Sequence, residues 1–407
     1  MMLETFSNRI KISLLNLCIV ALIGVLMRYK IGFVFPHFEQ INLQHAHSHF
    51  AFYGWLTHTL MTLMIAYLDD NDLTQQSKKY RILLVVNLIC SYGMLISFVI
   101  SGYNVTSIVL SIIPIFIALF FGLLFLKDIR GVRDLSFGVK WFKAALLFNL
   151  LSSCGSFAIT YMMLTKNIPQ HLYLAATYFY LHFQYNGWFF FASVGFLQLY
   201  FQKMVPYYQE DKKVFWLLAL SCFPAYFLST LWMNLPVWIY VLVVIAAILQ
   251  CIAWLLLLKK IVLSFSLLHK KSNNLTRYLF VIVCVGLSIK FALQLGSVIP
   301  SISKLAFGFR PIVIAYLHLV LLAILSVFLL TYLMANHFIK EKMWSKIGLS
   351  IFVAGIYLTE VGLAVQGVAS FSYIVVPYIN QSLFFLSTLM FSGIFILTLS
   401  NLSPGKK

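Results

Sequence analysis

The chain has 407 residues, of which 62% are hydrophobic, 17% aromatic and 10% charged. This composition excludes an ordinary soluble domain and is typical of a polytopic membrane protein. The formal net charge is +18, but basic residues accumulate on cytoplasmic loops and attract anionic lipid, so this charge does not indicate nucleic-acid binding.

Twelve apolar runs are long enough for a membrane-spanning helix, which needs about 20 residues. The sequence therefore predicts an all-α polytopic protein with about twelve transmembrane helices, in which residues 1–407 form a single transmembrane domain. In chain order the runs cover roughly residues 10–28, 43–68, 82–103, 106–126, 140–164, 171–201, 214–232, 235–258, 278–299, 311–335, 346–367 and 377–400.

The basic residues predict the orientation of these runs. Most lie in the N-terminal segment, in the loops after the even-numbered runs and at the C-terminus. We therefore expect a protein of the inner membrane with both termini in the cytoplasm. We also expect the first run to stay as a helix, because no small-residue cleavage site follows it. The six cysteines lie singly in the runs, as buried apolar residues do.

One short pattern recurs in the second, sixth and tenth runs. His49 begins HFAFYGWL, His182 begins HFQYNGWF and His318 begins HLVLLAIL, with a glycine or alanine five positions after each histidine. The histidines are spaced 133 and 136 residues apart, which is four runs each time. The sequence therefore predicts three pseudo-repeats of four helices, at about residues 1–135, 136–272 and 273–407.

The three histidines are also predicted to share one depth. Each lies 20 to 22 residues before the next charged residue at the cytoplasmic end, about 30 Å at the helical rise. An intramembrane imidazole is costly without a partner, so equal depth near the outer leaflet favours a shared binding site. Two alternatives stay open, namely hydrogen-bonded helix contacts and close helix packing at the small residue.

Neutral imidazole is a ligand for zinc, copper and iron, and haem iron takes axial histidines. Aromatic residues around His49 and His182 favour a large flat cofactor. His45 and His49, spaced i to i+4, share a helix face that also suits a small metal ion, whereas His47 points elsewhere and would support the ligands.

Twelve helices, a threefold repeat and the string HSHFAFYGW resemble the haem-copper oxidase catalytic subunits, and the NnrS family of membrane haem-copper proteins linked to nitric-oxide responses has the nearest pattern. The resemblance implies a haem, b-type, held by His49 and His318, and a copper ion at His182, with His45 and His49 as further candidate metal ligands. Any electrons would come from quinol or a cytochrome subunit.

The departures from that family are equally informative. The seventh run has no histidine pair to complete a copper site, and the tenth run has only one histidine. We therefore expect one haem or one metal site in redox or diatomic-gas chemistry, and not a complete oxidase centre.

A second polar group lies elsewhere in the runs. Lys290 and Glu360 are predicted at equal depth, as an ion pair or as part of a proton path that His58 would continue. Two other classes of function stay open. One is a transporter of a metal ion or small solute that uses these residues, in which Pro224 would mark a broken helix. The other is an assembly partner in a respiratory complex.

Overall fold

The computed structural model describes residues 5–130, 136–271 and 273–402, and of 265–271 and 304–307 it describes only the backbone. Most of these residues are helical, with short loops and turns between the helices, and no strand is present in them. A helix pairs its backbone N–H and C=O groups within one segment, which is what an apolar environment demands. The predicted all-α class is confirmed.

Ten helical segments among the described residues are long and apolar enough to cross a membrane, so the chain is a multi-pass membrane protein. They are α1 (Phe6–Gly32), α4 (Ser77–Ser101), α5 (Val105–Asp128), α6 (Gly138–Leu164), α9 (Lys212–Ala225) with the 3₁₀ turn Tyr226–Thr230, α10 (Val237–Lys271), α11 (Asn274–Gly296), the segment Arg310–Ala335, α15 (Met343–Phe371) and α16 (Ile379–Leu402).

Three long helical segments are interrupted by π-helix. The first runs through α2 (Gln40–His49), π1 (Phe50–Thr57) and α3 (His58–Asp70). The second comprises α7 (Gln170–His182), π2 (Phe183–Phe189) and α8 (Phe190–Met204). The third is the segment Arg310–Ala335, made of α13 (Arg310–His318), π3 (Leu319–Ser326) and α14 (Val327–Ala335), and it follows the short α12 (Pro300–Gly308).

The chain divides into two compact units. The first unit comprises Met1–Arg133, Asn336–Gln366 and Val375–Lys407. In it α1 packs on α16 and π1, and α4 packs on α2 and α5. Helices α15 and α16 touch through glycines: a Cβ on Gly355 would lie 2.9 Å from the Met390 backbone. Such close backbone approach is typical of helix pairs in membranes.

The second unit comprises Asp134–Ala335 and Gly367–Ile374. In it α6 packs on α7, π2 and α8, and α10 packs on α9 and α11. Helix α11 packs on π3 and α14. Helix α9 changes to a 3₁₀ turn directly after Pro224, because proline cannot continue the α-helical hydrogen bonds. The predicted repeat boundaries near residues 135 and 272 lie outside the described residues, and the three repeats stay a prediction.

Candidate functional site

Each π-helix begins at the residue directly after one of the three predicted histidines. These segments are π1 after His49, π2 after His182 and π3 after His318. Each contains the glycine or alanine of the recurring pattern. A π-helix, with hydrogen bonds from i to i+5, is rare and is found often at functional sites.

Burial changes sharply at the same three points. Before the histidines, α2 has two buried residues, α7 has only His182 and α13 has none. After them, every residue of α14 from Val327 to Met334 is buried, and α3 and α8 are buried almost throughout. Each histidine therefore lies where a partly exposed helical segment becomes a fully enclosed one.

In the first unit His45 and His49 lie on one face, against α4. The His49 ring stacks on Phe98 with centroids 4.7 Å apart and planes at 15°. His45 contacts Tyr103 edge to face at 4.5 Å. Within the described part of the chain no hydrogen bond engages a nitrogen of the His49 ring. This imidazole is positioned by aromatic contacts, which leave its nitrogens available to a ligand.

His47 faces the other way, against α1. Its ring lies beside Gly24, where an added Cβ would be 3.5 Å from Cε1, and close to the Val20 carbonyl. The Nδ1 atom is buried and has no hydrogen-bond partner among the described residues. Arg28 lies within electrostatic range of His47 and also of Glu360.

Amides from neighbouring helices satisfy the carbonyls of π1. Asn16 of α1 donates to the Gly54 carbonyl at 2.6 Å and accepts from the Tyr92 hydroxyl at 2.6 Å. Asn87 of α4 donates to the Tyr53 carbonyl at 3.0 Å. The π-helix is thus fixed by side chains that the histidine pattern does not contain.

In the second unit both nitrogens of His182 are engaged. Nε2 lies 2.8 Å from the Cys222 carbonyl of α9, to which it can only donate. Nδ1 then accepts from the Asn186 amide at 3.2 Å, and the Cys222 thiol lies 3.9 Å from the Asn186 carbonyl. A metal ion at His182 would have to displace one of these bonds.

Asn149 of α6 lies next to π2. It accepts from the Gln184 amide at 2.9 Å, and Gln184 also donates to Ser152 at 2.7 Å. Asn16 and Asn149 are 133 residues apart, the same spacing as His49 and His182. This shared spacing is the signal in the sequence that could have identified both asparagines as neighbours of the histidine motifs.

His318 ends α13 and is partly exposed, as are all residues of that helix. Two residues before it, Tyr316 lies edge to face with Tyr185 of π2, with centroids 6.4 Å apart. Within π3 the Ser326 hydroxyl donates to the Leu321 carbonyl at 2.8 Å, five residues back. The third π-helix thus supplies a hydrogen bond from its own side chain.

Lys290 and Glu360 have partners within their own units. Lys290 is buried, donates to Gln294 at 2.8 Å and lies 4.2 Å from the centre of the Phe291 ring. The Oε1 atom of Glu360 is buried without a hydrogen-bond partner in the described residues, and Arg28 is its charged neighbour. The predicted pairing of Lys290 with Glu360 stays a prediction.

His58 is fully buried near the opposite end of α1. Its ring lies close to the Arg9 carbonyl, although neither ring nitrogen forms a hydrogen bond of good geometry within the described residues. His58, the first residue of α3, therefore packs against α1. No contact between His58 and His49 is present among the described residues.

In the part of the chain that the structure describes, no three side chains of histidine, cysteine, aspartate or glutamate converge closely enough to hold a metal ion. No protein-family model matches the sequence. No curated protein is similar to it at a significant level.

Proposed function

We propose that the chain is a haem-binding membrane protein in which His49 of the first unit is a ligand of the haem iron. The observation that supports this most directly is the position of the π-helices, each beginning at a histidine where burial changes. A π-helix is rare in proteins and occurs frequently at functional sites.

His49 fits this role because its ring is held by Phe98 and Tyr53 stacking and not by hydrogen bonds. A neutral imidazole with an available nitrogen is the form that coordinates iron or copper. His182 fits less well, since both of its nitrogens are engaged within the protein. We therefore assign His182 to positioning π2, with a copper ion there as the less favoured assignment.

A haem held through His49 would supply one-electron transfer. The chain's own residues would position that ligand: Phe98 fixes the plane of the His49 ring, and Asn16 and Asn87 fix the backbone of π1. We propose quinol or a cytochrome subunit as the electron donor.

The proposed topology has twelve spans in three repeats, because Gln40–Asp70 and Gln170–Met204 are helical throughout and would cross the bilayer beside the ten apolar segments. Both termini would lie on the cytoplasmic side of an inner membrane. A phosphatase fused at the C-terminus should be inactive in cells and a fluorescent protein there should be bright; the opposite result would reverse the orientation.

An absorption spectrum tests the haem proposal. Protein purified with haem supplied during expression should show a Soret band, with sharp visible bands after dithionite reduction. A colourless, correctly folded preparation would overturn the proposal. A shift of the bands with carbon monoxide would favour gas chemistry at the haem over electron transfer alone.

The second candidate is a route for protons or metal ions through the first unit. It is favoured by His47 Nδ1 and Glu360 Oε1, two buried acceptor atoms without partners in the described residues, both within electrostatic range of Arg28. Proteoliposomes with the wild-type chain should then move protons or a divalent ion, and Glu360→Gln should stop this. Equal flux from both proteins would remove this candidate.

A further inference from the structure

Two histidines of α2 have their rings on one face of the helix and close together. His45 and His49 are spaced i to i+4, which makes their side chains neighbours on a helix surface. No other two histidines in the chain have this spacing. Both rings contact the same side chain of α4, because the Phe98 centroid lies 5.8 Å from that of His45 and 4.7 Å from that of His49. His45 is also within electrostatic range of His49.

This pair lies near the start of α2 and is not enclosed by the protein. Both residues are half-buried, and they are about 8 and 14 Å along the helix axis from its first residue, which follows the loop 33–39. Neither imidazole is hydrogen-bonded within the described residues. By contrast, the Nδ1 atom of His47 and both ring nitrogens of His58 are enclosed. A solute can therefore reach the pair.

Two imidazoles at this spacing can bind one transition-metal ion. Histidines at i and i+4 of a helix supply two zinc ligands in metalloproteases, and neutral imidazole suits zinc, copper and nickel. In the described part of the chain no third histidine, cysteine, aspartate or glutamate converges on the pair. Water or a small solute would therefore complete the coordination, and the site would be open and not a closed structural one.

We propose that His45 and His49 form a site for a divalent transition-metal ion, and that an ion bound there keeps His49 from the haem iron. A neutral imidazole has one nitrogen with a free lone pair, so His49 cannot bind both metals at once. The metal site is argued from the contacts of His45 and His49 alone, whereas its competition with haem rests on the proposed function.

Calorimetric titration with Zn²⁺ tests the metal site. The full-length protein would be expressed without added haem, stripped of metal and titrated in detergent. The wild-type chain should bind one Zn²⁺. His45→Ala and His49→Ala should each weaken this binding at least about tenfold, the lower limit of the losses seen when even a group that only supports a metal ligand is removed.

Two matched controls separate this pair from the other histidines. His47→Ala removes an imidazole from the same helix whose ring lies against α1, beside Gly24, and it should leave Zn²⁺ binding unchanged. His337→Ala removes an exposed imidazole that lies 3.1 Å from Glu341, the kind of surface pair that could hold an ion by itself, and it should also leave binding unchanged.

His45→Phe keeps the test decisive if an alanine variant does not fold. It retains a ring against Phe98 and Tyr103 and removes the nitrogens. With Cu²⁺ as a spectroscopic probe, electron paramagnetic resonance should show coupling to two imidazole nitrogens in the wild-type chain and to one in His45→Phe. A role of His45 in packing alone would leave this signal unchanged.

Haem titration with and without Zn²⁺ tests the competition. Zn²⁺ should weaken haem binding to the wild-type chain and have no effect on His45→Phe. Haem binding that Zn²⁺ does not change would overturn the competition. Zn²⁺ binding retained in His45→Phe, or lost in His47→Ala or His337→Ala, would overturn the metal site. Zn²⁺ binding at the pair in a chain that takes up no haem would support the site and overturn the proposed function.

Discussion

The segments after His49 and His182 share the spacing of histidine, glycine and tryptophan and the same π-helical backbone, yet the two histidines have different surroundings. His49 lies against aromatic rings, with its nitrogens available. His182 is buried, donates to the Cys222 carbonyl and accepts from Asn186. A repeated motif has thus produced one imidazole suited to a ligand and one that holds helices together.

The neighbouring helices cause this difference. Around π1, Asn16 and Asn87 satisfy the carbonyls of Gly54 and Tyr53. Around π2, α9 has no asparagine at this level, and Cys222 contributes a weak thiol contact at 3.9 Å and a carbonyl for His182. His182 therefore joins π2 to α9 through the Cys222 carbonyl, a contact that His49 does not make with α4.

The largest effect is expected for Asn16→Leu, which tests how π1 is held. It leaves the Gly54 carbonyl and the Tyr92 hydroxyl without their partner in a buried site, and each such loss costs about 1–3 kcal/mol. We expect a decrease of about 3 kcal/mol in the free energy of unfolding, measured by titration with sodium dodecyl sulfate. Leu22→Ala, at an exposed position of the same helix, is the control. A loss no larger than in this control would show that the amide does not hold π1.

The glycines of the two motifs should differ next. A Cβ on Gly187 would lie 2.5 Å from the Phe148 Cβ of α6, an atom close to the backbone that cannot move away. On Gly54 it would meet the Phe50 ring at 2.9 Å, which can rotate. We expect Gly187→Ala to cost about 2 kcal/mol and Gly54→Ala under about 1 kcal/mol, by the same titration. Equal costs would mean that both helices pack equally tightly.

A smaller difference is expected between Asn87→Ala and Cys222→Ala. The Asn87 amide donates a normal hydrogen bond to the Tyr53 carbonyl at 3.0 Å, whereas the Cys222 thiol lies 3.9 Å from the Asn186 carbonyl. We expect a loss of about 1.5 kcal/mol in the first variant and about 0.5 kcal/mol in the second, from thermal unfolding in detergent. A larger loss in Cys222→Ala would assign the thiol a role that its geometry does not indicate.

The sequence predicted the helical class and the positions of most helices, because hydropathy and helix length follow directly from the bilayer. It also singled out the three histidines, which are spaced 133 and 136 residues apart in the chain. It did not predict the π-helices, since their geometry depends on partners such as Asn16 and Asn87, which are distant in sequence.

The partners of His182 were hidden for a related reason. Every residue has a backbone carbonyl, so the amino-acid type at position 222, which is 40 residues away, does not reveal that its carbonyl accepts a hydrogen bond from His182. The seventh run contains no histidine, and it contacts His182 through the Cys222 carbonyl of α9. The spacing of Asn16 and Asn149, which equals that of His49 and His182, is a signal in the sequence for the side chains that contact π1 and π2.

We propose that His49 binds a haem while His182 joins helices, and the haem content of two variants distinguishes these roles. His49→Ala and His182→Ala would be purified as monodisperse protein, and haem per chain measured from the pyridine haemochrome spectrum. We expect almost no haem in His49→Ala and near wild-type haem, with reduced stability, in His182→Ala. Haem retained in His49→Ala, or lost only in His182→Ala, would contradict it.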